Sequence, residues 1–169
     1  HVEAIKEVFP ETPRADFFPQ ITVRGGDDPD VHLLVLGAAQ GTEDSFLDQP
    51  EQLALDRESG LLAPVARTAV DAGPGSLCVG PSRAVLYAAL RSTERIAAFR
   101  IGPDGALEPL ATVAAGFNPV FVGTNRSGRY LLASSYNAGK VAVFAIAGDG
   151  SLSPEAVDRH DTAEHAHSV

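Results

Sequence analysis

The chain has 169 residues, of which 44% are hydrophobic and 21% are charged, a composition that is ordinary for a soluble folded domain. Its 22 acidic residues outnumber 13 Lys and Arg and give a formal net charge of −9, which argues against nucleic acid or an anionic membrane as a partner, because both attract basic surfaces. No apolar run approaches the roughly 20 residues of a membrane span, and no signal peptide is visible.

Residues 1–30 form a segment of unclear role. Its apolar run Phe17–Val23 is either a strand of the repeats that follow or a tail that belongs with a neighbouring chain. The sequence contains no Met, even at position 1, as we expect for a chain whose start is missing.

Most of the chain after this segment repeats with a period of 45 residues. A Gly-x-Leu-x-Pro phrase begins at Gly60, Gly105 and Gly150. The second and third repeats align without a gap, Pro74–Pro109 onto Pro119–Pro154. A period of this length is typical of stacked supersecondary units.

Each repeat is predicted to hold four antiparallel strands. The apolar runs have strand length and are bounded by Gly, Pro, Asp and Ser turn clusters: Val85–Leu90, Ile96–Ile101, Val120–Gly123, Tyr130–Ser135 and Val141–Ile146. A turn at Asn125–Gly128 and a loop at Tyr136–Gly139 separate strands within a repeat, and a weaker outer strand follows each Gly-x-Leu-x-Pro phrase.

This pattern predicts an all-β fold, a β-propeller, in which residues 31–169 form about three blades and the start of a fourth. The repeats are expected to end near residues 73, 118 and 163. A closed ring of at least four blades would need about 180 residues at this period. We therefore expect either further chain or a second copy to complete the ring.

Cys78 is the sole cysteine. It excludes an intramolecular disulfide and favours a reducing, cytoplasmic location. The repeat aligns it with Gly123 on the predicted inner strand, where a buried, unreactive thiol is favoured over a nucleophile.

Three of the five histidines lie close together near the end of the chain, at His160, His165 and His167. On a strand, His165 and His167 would point to the same side, because side chains alternate. Three interpretations remain open from the residues alone. The pair packs at a blade edge, binds zinc with a third ligand such as His160, Asp161 or Glu164, or performs acid–base chemistry at the central channel.

The second half of the chain resembles the seven-bladed β-propeller lactonase family. The resemblance is carried, in order, by Asn118–Val122, Ser127–Tyr136, Gly139–Ile146, Asp149–Leu152 and the phrase HAHSV at His165–Val169. This family includes bacterial 6-phosphogluconolactonase and the 3-carboxy-cis,cis-muconate lactonizing enzyme, which act on lactone rings without a known cofactor. The resemblance implies seven blades, or about 315 residues, of which this chain holds less than half.

The resemblance also implies an active site and a reaction. His167 would be the general base that activates water against a sugar lactone such as 6-phosphogluconolactone, and His165 would orient it or donate a hydrogen bond. Tyr136 and Asn137 would contact substrate hydroxyls or the developing oxyanion. The expected reaction uses no metal and no cofactor. A lactonizing cycloisomerase and a non-catalytic binding scaffold are the alternatives.

Two kinds of observation concern the basic residues, namely their position and their possible role in binding an anion. Arg126 and Arg129 lie at the predicted hairpin turn and are expected to face solvent. The negative net charge does not exclude a phosphorylated substrate, because a local Arg or Lys cluster can bind phosphate in a cleft. The family usually carries a longer loop, often with an Arg, where this chain has only Asp161–Glu164 between His160 and His165.

Overall fold

A computed structural model describes residues 20–23, 32–36, 50–55, 59–70, 74–102 and 105–163. Within these ranges the chain forms three four-stranded antiparallel sheets, here called blades 1, 2 and 3, each built from consecutive strands. Blade 1 contains β1 Gln20–Val23, β2 His32–Leu36, β3 Pro50–Leu55 and β4 Leu62–Arg67. Blade 2 contains β5 Pro74–Val79, β6 Val85–Leu90, β7 Arg95–Ile101 and β8 Leu107–Ala114, with a 3-10 turn at Arg91–Thr93. Blade 3 contains β9 Phe121–Thr124, β10 Tyr130–Ser135, β11 Lys140–Ala145 and β12 Asp158–Asp161.

The first strands of the blades lie side by side. Strand β5 contacts both β1 and β9, so the three sheets share a common inner edge. Within each blade the following strands pair outward in chain order. This radial arrangement is that of a β-propeller, and the predicted fold is confirmed.

The predicted strands match the observed ones to within one residue at each end where both are defined, as β6 and β10 show without any shift. The last four residues of the run Phe17–Val23 form β1, which pairs with β2. In the described ranges, no helix is long and apolar enough to cross a membrane.

Strand β6 is buried along its whole length because apolar clusters cover both of its faces. Val85, Tyr87 and Ala89 pack in a cluster that also contains residues of blade 3. Leu86, Ala88 and Leu90 pack in a second cluster within blade 2. Burial on both faces explains why this strand reads as a continuous apolar run rather than as an alternation.

Polar contacts between blades 2 and 3 add specificity to this packing. The buried Ser76 Oγ accepts a hydrogen bond from the Val122 amide at 3.1 Å, which links the two inner strands. Cys78 lies on β5, as predicted, with its partly buried Sγ 3.7 Å from Thr124 Oγ1.

The 45-residue spacing ends inside blade 3. In blade 2 the Ala115 amide donates to the Glu94 carbonyl, and in blade 3 the Thr162 amide donates to the Gly139 carbonyl. Glu94 and Gly139 are 45 residues apart, whereas Ala115 and Thr162 are 47 apart. At Thr162 the chain is therefore displaced by two residues from the position that an unchanged 45-residue period gives.

The extra residues lie between Leu152 and β12. In blade 2, Pro109 is accommodated within β8 at a register shift opposite Phe99. In blade 3, the strand pairing stops after a single bridge at Leu152 and resumes only at Asp158. Proline has no amide hydrogen to donate, so within a sheet it is confined to edge strands, strand starts and bulges, and both prolines here lie on outer strands or beside them.

Candidate active site

Two kinds of connection meet at one end of the sheets. The first is the turn between the second and third strands, at 91–94 in blade 2 and 136–139 in blade 3. The second is segment 115–120, which leads from the outer strand of blade 2 to the inner strand of blade 3. Hydrogen bonds tie this segment to both blades, since Ala115 donates to Glu94 and Val120 donates to Ser134. We call this end of the sheets the upper end.

Tyr136 and Asn137 lie in the upper-end turn of blade 3, as the sequence predicted for the loop. Both side chains are exposed, with 38% of Tyr136 accessible to solvent. The Ser135 Oγ accepts a hydrogen bond from the Ala138 amide at 3.3 Å and orders the turn. The two side chains are therefore presented at the upper end, where a ligand could contact them.

The end of β12 packs against the same turn. Gly139 has a φ of +55°, and a Cβ there would lie 3.0 Å from the Thr162 carbonyl oxygen. The other two predicted site residues, His165 and His167, belong to the stretch 164–169, which lies outside the described residues. The structure brings Tyr136 and Asn137 together and leaves their relation to the two histidines untested.

Arg91 is an upper-end residue that the sequence reasoning missed. Its Nε lies 3.5 Å from Oδ1 of Asn118, just before the inner strand of blade 3. Its side chain crosses Gly75 on the inner strand of blade 2. The available signal was the repeat itself, because Arg91 stands 45 residues before Tyr136 and thus occupies the corresponding turn.

A shallow cleft of about 150 Å³ also opens beside the outer strands of blade 3, lined by Gly116, Phe117, Lys140, Val141, Arg159, His160 and Asp161. Arg159 Nη1 donates to the Ala115 carbonyl at 2.7 Å. Lys140 Nζ lies 3.7 Å from Asp161 Oδ1, with both side chains largely exposed, so this ion pair contributes little stability. His160 is exposed on β12 opposite Val141.

The described part of the chain contains no group of three His, Cys, Asp or Glu side chains that could hold a metal ion. The zinc interpretation needs His165 and His167, which lie outside that part, whereas two of the candidate third ligands, His160 and Asp161, lie inside it on β12. Arg126 is exposed at its turn, as predicted, and the guanidinium of the exposed Arg129 lies 5.9 Å from the Tyr130 ring centre.

Comparison with solved structures finds propellers of similar shape. A protein assigned as a 6-phosphogluconolactonase from Bacteroides fragilis superposes with a TM-score of 0.68 at 23% identity, over 89% of this chain and 44% of that one. A second protein assigned in the same way, from Bacteroides uniformis, gives a TM-score of 0.67 at 15% identity, over 93% and 58% of the two chains. The periplasmic gluconolactonase of Pseudomonas aeruginosa gives 0.63 at 25% identity, over 76% and 38%.

This chain thus spans between 38% and 58% of the length of these three proteins. The sequence matches none of the curated proteins compared with it. The family described as "Lactonase, 7-bladed beta-propeller" matches residues 48–169, well over half of the chain, and the three radially arranged sheets agree with that fold. The chain therefore belongs to the seven-bladed β-propeller lactonase family.

Proposed function

We propose that this chain is part of an enzyme that hydrolyses a sugar lactone, with 6-phosphogluconolactone as the leading candidate. The observation that carries the proposal is the lactonase family match over residues 48–169. The names of the similar structures, 6-phosphogluconolactonase and gluconolactonase, support a gluconolactone ring as the substrate core.

The proposed reaction is general-base hydrolysis. His167 removes a proton from water as the water oxygen attacks the ring carbonyl, and a tetrahedral oxyanion forms. The ring carbon–oxygen bond then breaks, and the imidazolium returns the proton to the leaving ring oxygen. The product is the open hydroxy acid. His165 orients His167, while Tyr136 and Asn137 bind substrate hydroxyls or the oxyanion. No step requires a metal or a cofactor.

The proposal that the two histidines act together with the upper-end turn draws on chain length. The Thr162 amide donates to the Gly139 carbonyl at 2.6 Å, so the chain passes directly against this turn. Consecutive Cα atoms are about 3.8 Å apart, and three residues can therefore carry His165 at most about 11 Å from Thr162.

We propose a cytoplasmic location on the basis of the lone Cys78. The Pseudomonas aeruginosa protein is named as periplasmic, so the family is not confined to one compartment. Cell fractionation with an antibody against the protein tests this point, and recovery with periplasmic markers would reject it.

The function is tested by assaying the full-length protein against gluconolactone, 6-phosphogluconolactone and a muconolactone, with and without chelator. We expect hydrolysis that survives the chelator. In His167→Ala, kcat should fall about 10²- to 10⁴-fold, the usual contribution of a general base. Arg126→Ala is the control, because Arg126 is exposed at the turn between β9 and β10, at the other end of the sheets, and its kcat should not change.

The other outcomes reject the proposal in distinct ways. Loss of activity with chelator would favour the zinc interpretation. Turnover of the muconolactone without uptake of water would favour a cycloisomerase. Absence of turnover on all three lactones, combined with capture of a binding partner that survives His167→Ala, would favour a scaffold.

A further inference from the structure

Arg91 lies where the inner strands of blades 2 and 3 begin. It follows Leu90, which pairs with Pro74 at the start of β5. Its Nε approaches the side chain of Asn118, two residues before Val120 and the inner strand of blade 3. The side chain thus spans the upper end of the boundary between the two blades.

The inner strand of blade 2 leaves room for this side chain. A Cβ on Gly75 would lie 2.6 Å from Cδ and 2.9 Å from Cγ of Arg91, closer than real contacts allow. Gly75 is not among the described glycines with positive φ, so its backbone alone does not require glycine. Because Gly75 has no side chain, the aliphatic part of Arg91 can pack directly against the backbone of Gly75.

The charge of Arg91 has only a weak partner. The contact from Nε to Asn118 Oδ1 is long, at 3.5 Å, and an amide oxygen carries no full negative charge. Among the described residues, no carboxylate forms an ion pair with Arg91, and its terminal nitrogens have no hydrogen-bond acceptor. Arg159 differs, because its Nη1 donates to the Ala115 carbonyl at 2.7 Å.

A partly buried guanidinium whose terminal donors have no acceptor among the described residues is suited to an anionic oxygen group. Its planar fork can donate two parallel hydrogen bonds to a phosphate or a carboxylate. The chain as a whole carries a net charge of −9, so attraction of an anion must come from a local cation of this kind.

We infer that Arg91 is a specificity-determining residue that binds an anionic oxygen group, phosphate or carboxylate, on the lactone substrate; this inference rests on the proposed function. Arg91 holds the substituent away from the ring carbonyl, and the turn bearing Tyr136 lies at the same end of the sheets. It therefore acts on substrate selection rather than on proton transfer.

The test compares lactones that differ only in charge, using Arg91→Gln in the full-length protein. The KM for 6-phosphogluconolactone should rise about 10- to 100-fold, as expected for loss of charge-assisted hydrogen bonds. Neither kcat nor the KM for neutral gluconolactone should change. A muconolactone arm distinguishes a carboxylate from a phosphate as the bound group.

The test variant Arg91→Gln keeps the Cβ, Cγ and Cδ atoms that pack on Gly75, and thermal melting verifies that it is folded. Two further variants serve as controls. Arg91→Lys keeps the charge without the fork and should show an intermediate KM. Arg126→Gln removes an exposed arginine at the opposite end of the sheets and should match the wild type.

A binding measurement separates this inference from the proposed function. Calorimetric titration with 6-phosphogluconate and with inorganic phosphate needs no turnover. Binding to the wild type that is lost in Arg91→Gln supports the role of Arg91 even if no lactone is hydrolysed. Equal binding by both proteins, equal KM changes for the charged and neutral lactones, or no binding by the wild type would overturn it.

Discussion

The hydroxyl of Tyr87 links blade 2 to blade 3. It donates a 2.9 Å hydrogen bond to the Gly150 carbonyl, and the residue is only 2% exposed. Burial raises the pKa of Tyr87 from 10.0 to about 12, and Cys78 and Asp149 act in the same direction. Above the unfolded pKa, the unfolded state releases this proton while the folded state keeps it. The free energy of unfolding should therefore fall as the pH rises from 10.0 to about 12.

Replacing Tyr87 with Phe should remove that alkaline loss. At neutral pH the variant should be less stable by about 1–3 kcal/mol, because the Gly150 carbonyl loses its donor. Urea unfolding at a series of pH values measures both effects. Tyr130→Phe, at an exposed tyrosine, is the control and should keep the alkaline loss. An unchanged alkaline slope in Tyr87→Phe would contradict the assignment.

Two buried serines, Ser76 on β5 and Ser134 on β10, have different environments. Ser76 Oγ accepts from the Val122 amide, whereas Ser134 Oγ has no hydrogen-bond partner among the described residues. Ser76→Ala should lower the free energy of unfolding by about 1–3 kcal/mol, because the buried Val122 amide would lose its hydrogen-bond acceptor. Ser134→Ala should be neutral or stabilising. Chemical denaturation of both variants tests this contrast, and equal losses would show that Ser134 also has a partner.

At the scale of the elements, the Gly-x-Leu-x-Pro turn has one shape and two packing environments. Gly60, Gly105 and Gly150 all adopt positive φ, at 73°, 83° and 90°. A Cβ on Gly60 would meet nothing within 4 Å, whereas one on Gly150 would collide with Cγ2 of Val85 in the neighbouring blade. The repeated phrase therefore encodes a turn everywhere and a blade contact at Gly150.

This difference predicts unequal effects of the same substitution. Gly60→Ala should destabilise by about 1–2 kcal/mol, the cost of placing an alanine in a left-handed conformation. Gly150→Ala should lose a further 1–3 kcal/mol or so, since Val85 must move within a packed core. Denaturant midpoints of the two variants make the comparison. Equal losses of stability would contradict this prediction, because they would mean that Val85 moves aside without lowering the free energy of unfolding.

At the scale of the whole molecule, the larger of the two buried clusters in the described residues lies between blades 2 and 3. One buried cluster contains Tyr87 and Ile96 of blade 2 together with Leu131 and Phe144 of blade 3. Neither blade can bury its apolar face alone, which is why stability in such arrays depends on nearest-neighbour interfaces.

Phe144→Ala should therefore weaken two blades together. The side chain is fully buried, and its removal should lower the free energy of unfolding by about 3–5 kcal/mol. Amide hydrogen exchange should accelerate in β6 and β7 as well as in β10 and β11. Val157→Ala, at a residue 56% exposed, is the control. Faster exchange confined to blade 3 would contradict this coupling.

The sequence alone determined the all-β repeat, most strand positions and the exposed turn that carries Tyr136 and Asn137. These features depend on local patterns, namely apolar runs bounded by turn residues and a repeated phrase. The roles of His165 and His167 come from the family resemblance and stay predictions.

Only the tertiary structure revealed two features: the displacement of Thr162 by two residues from the 45-residue period, and the packing of Arg91 on Gly75. The displacement depends on where the outer strand of blade 3 resumes its pairing with β11 beyond Pro154, and no local sequence pattern predicts that position. The position of the Arg91 side chain depends on its contacts with Gly75 and Asn118. These two residues are distant from Arg91 in sequence and lie beside it because two inner strands start at the same end of the sheets. Contacts between residues far apart in the chain arise from packing, so periodicity can locate the elements but cannot report which side chains meet.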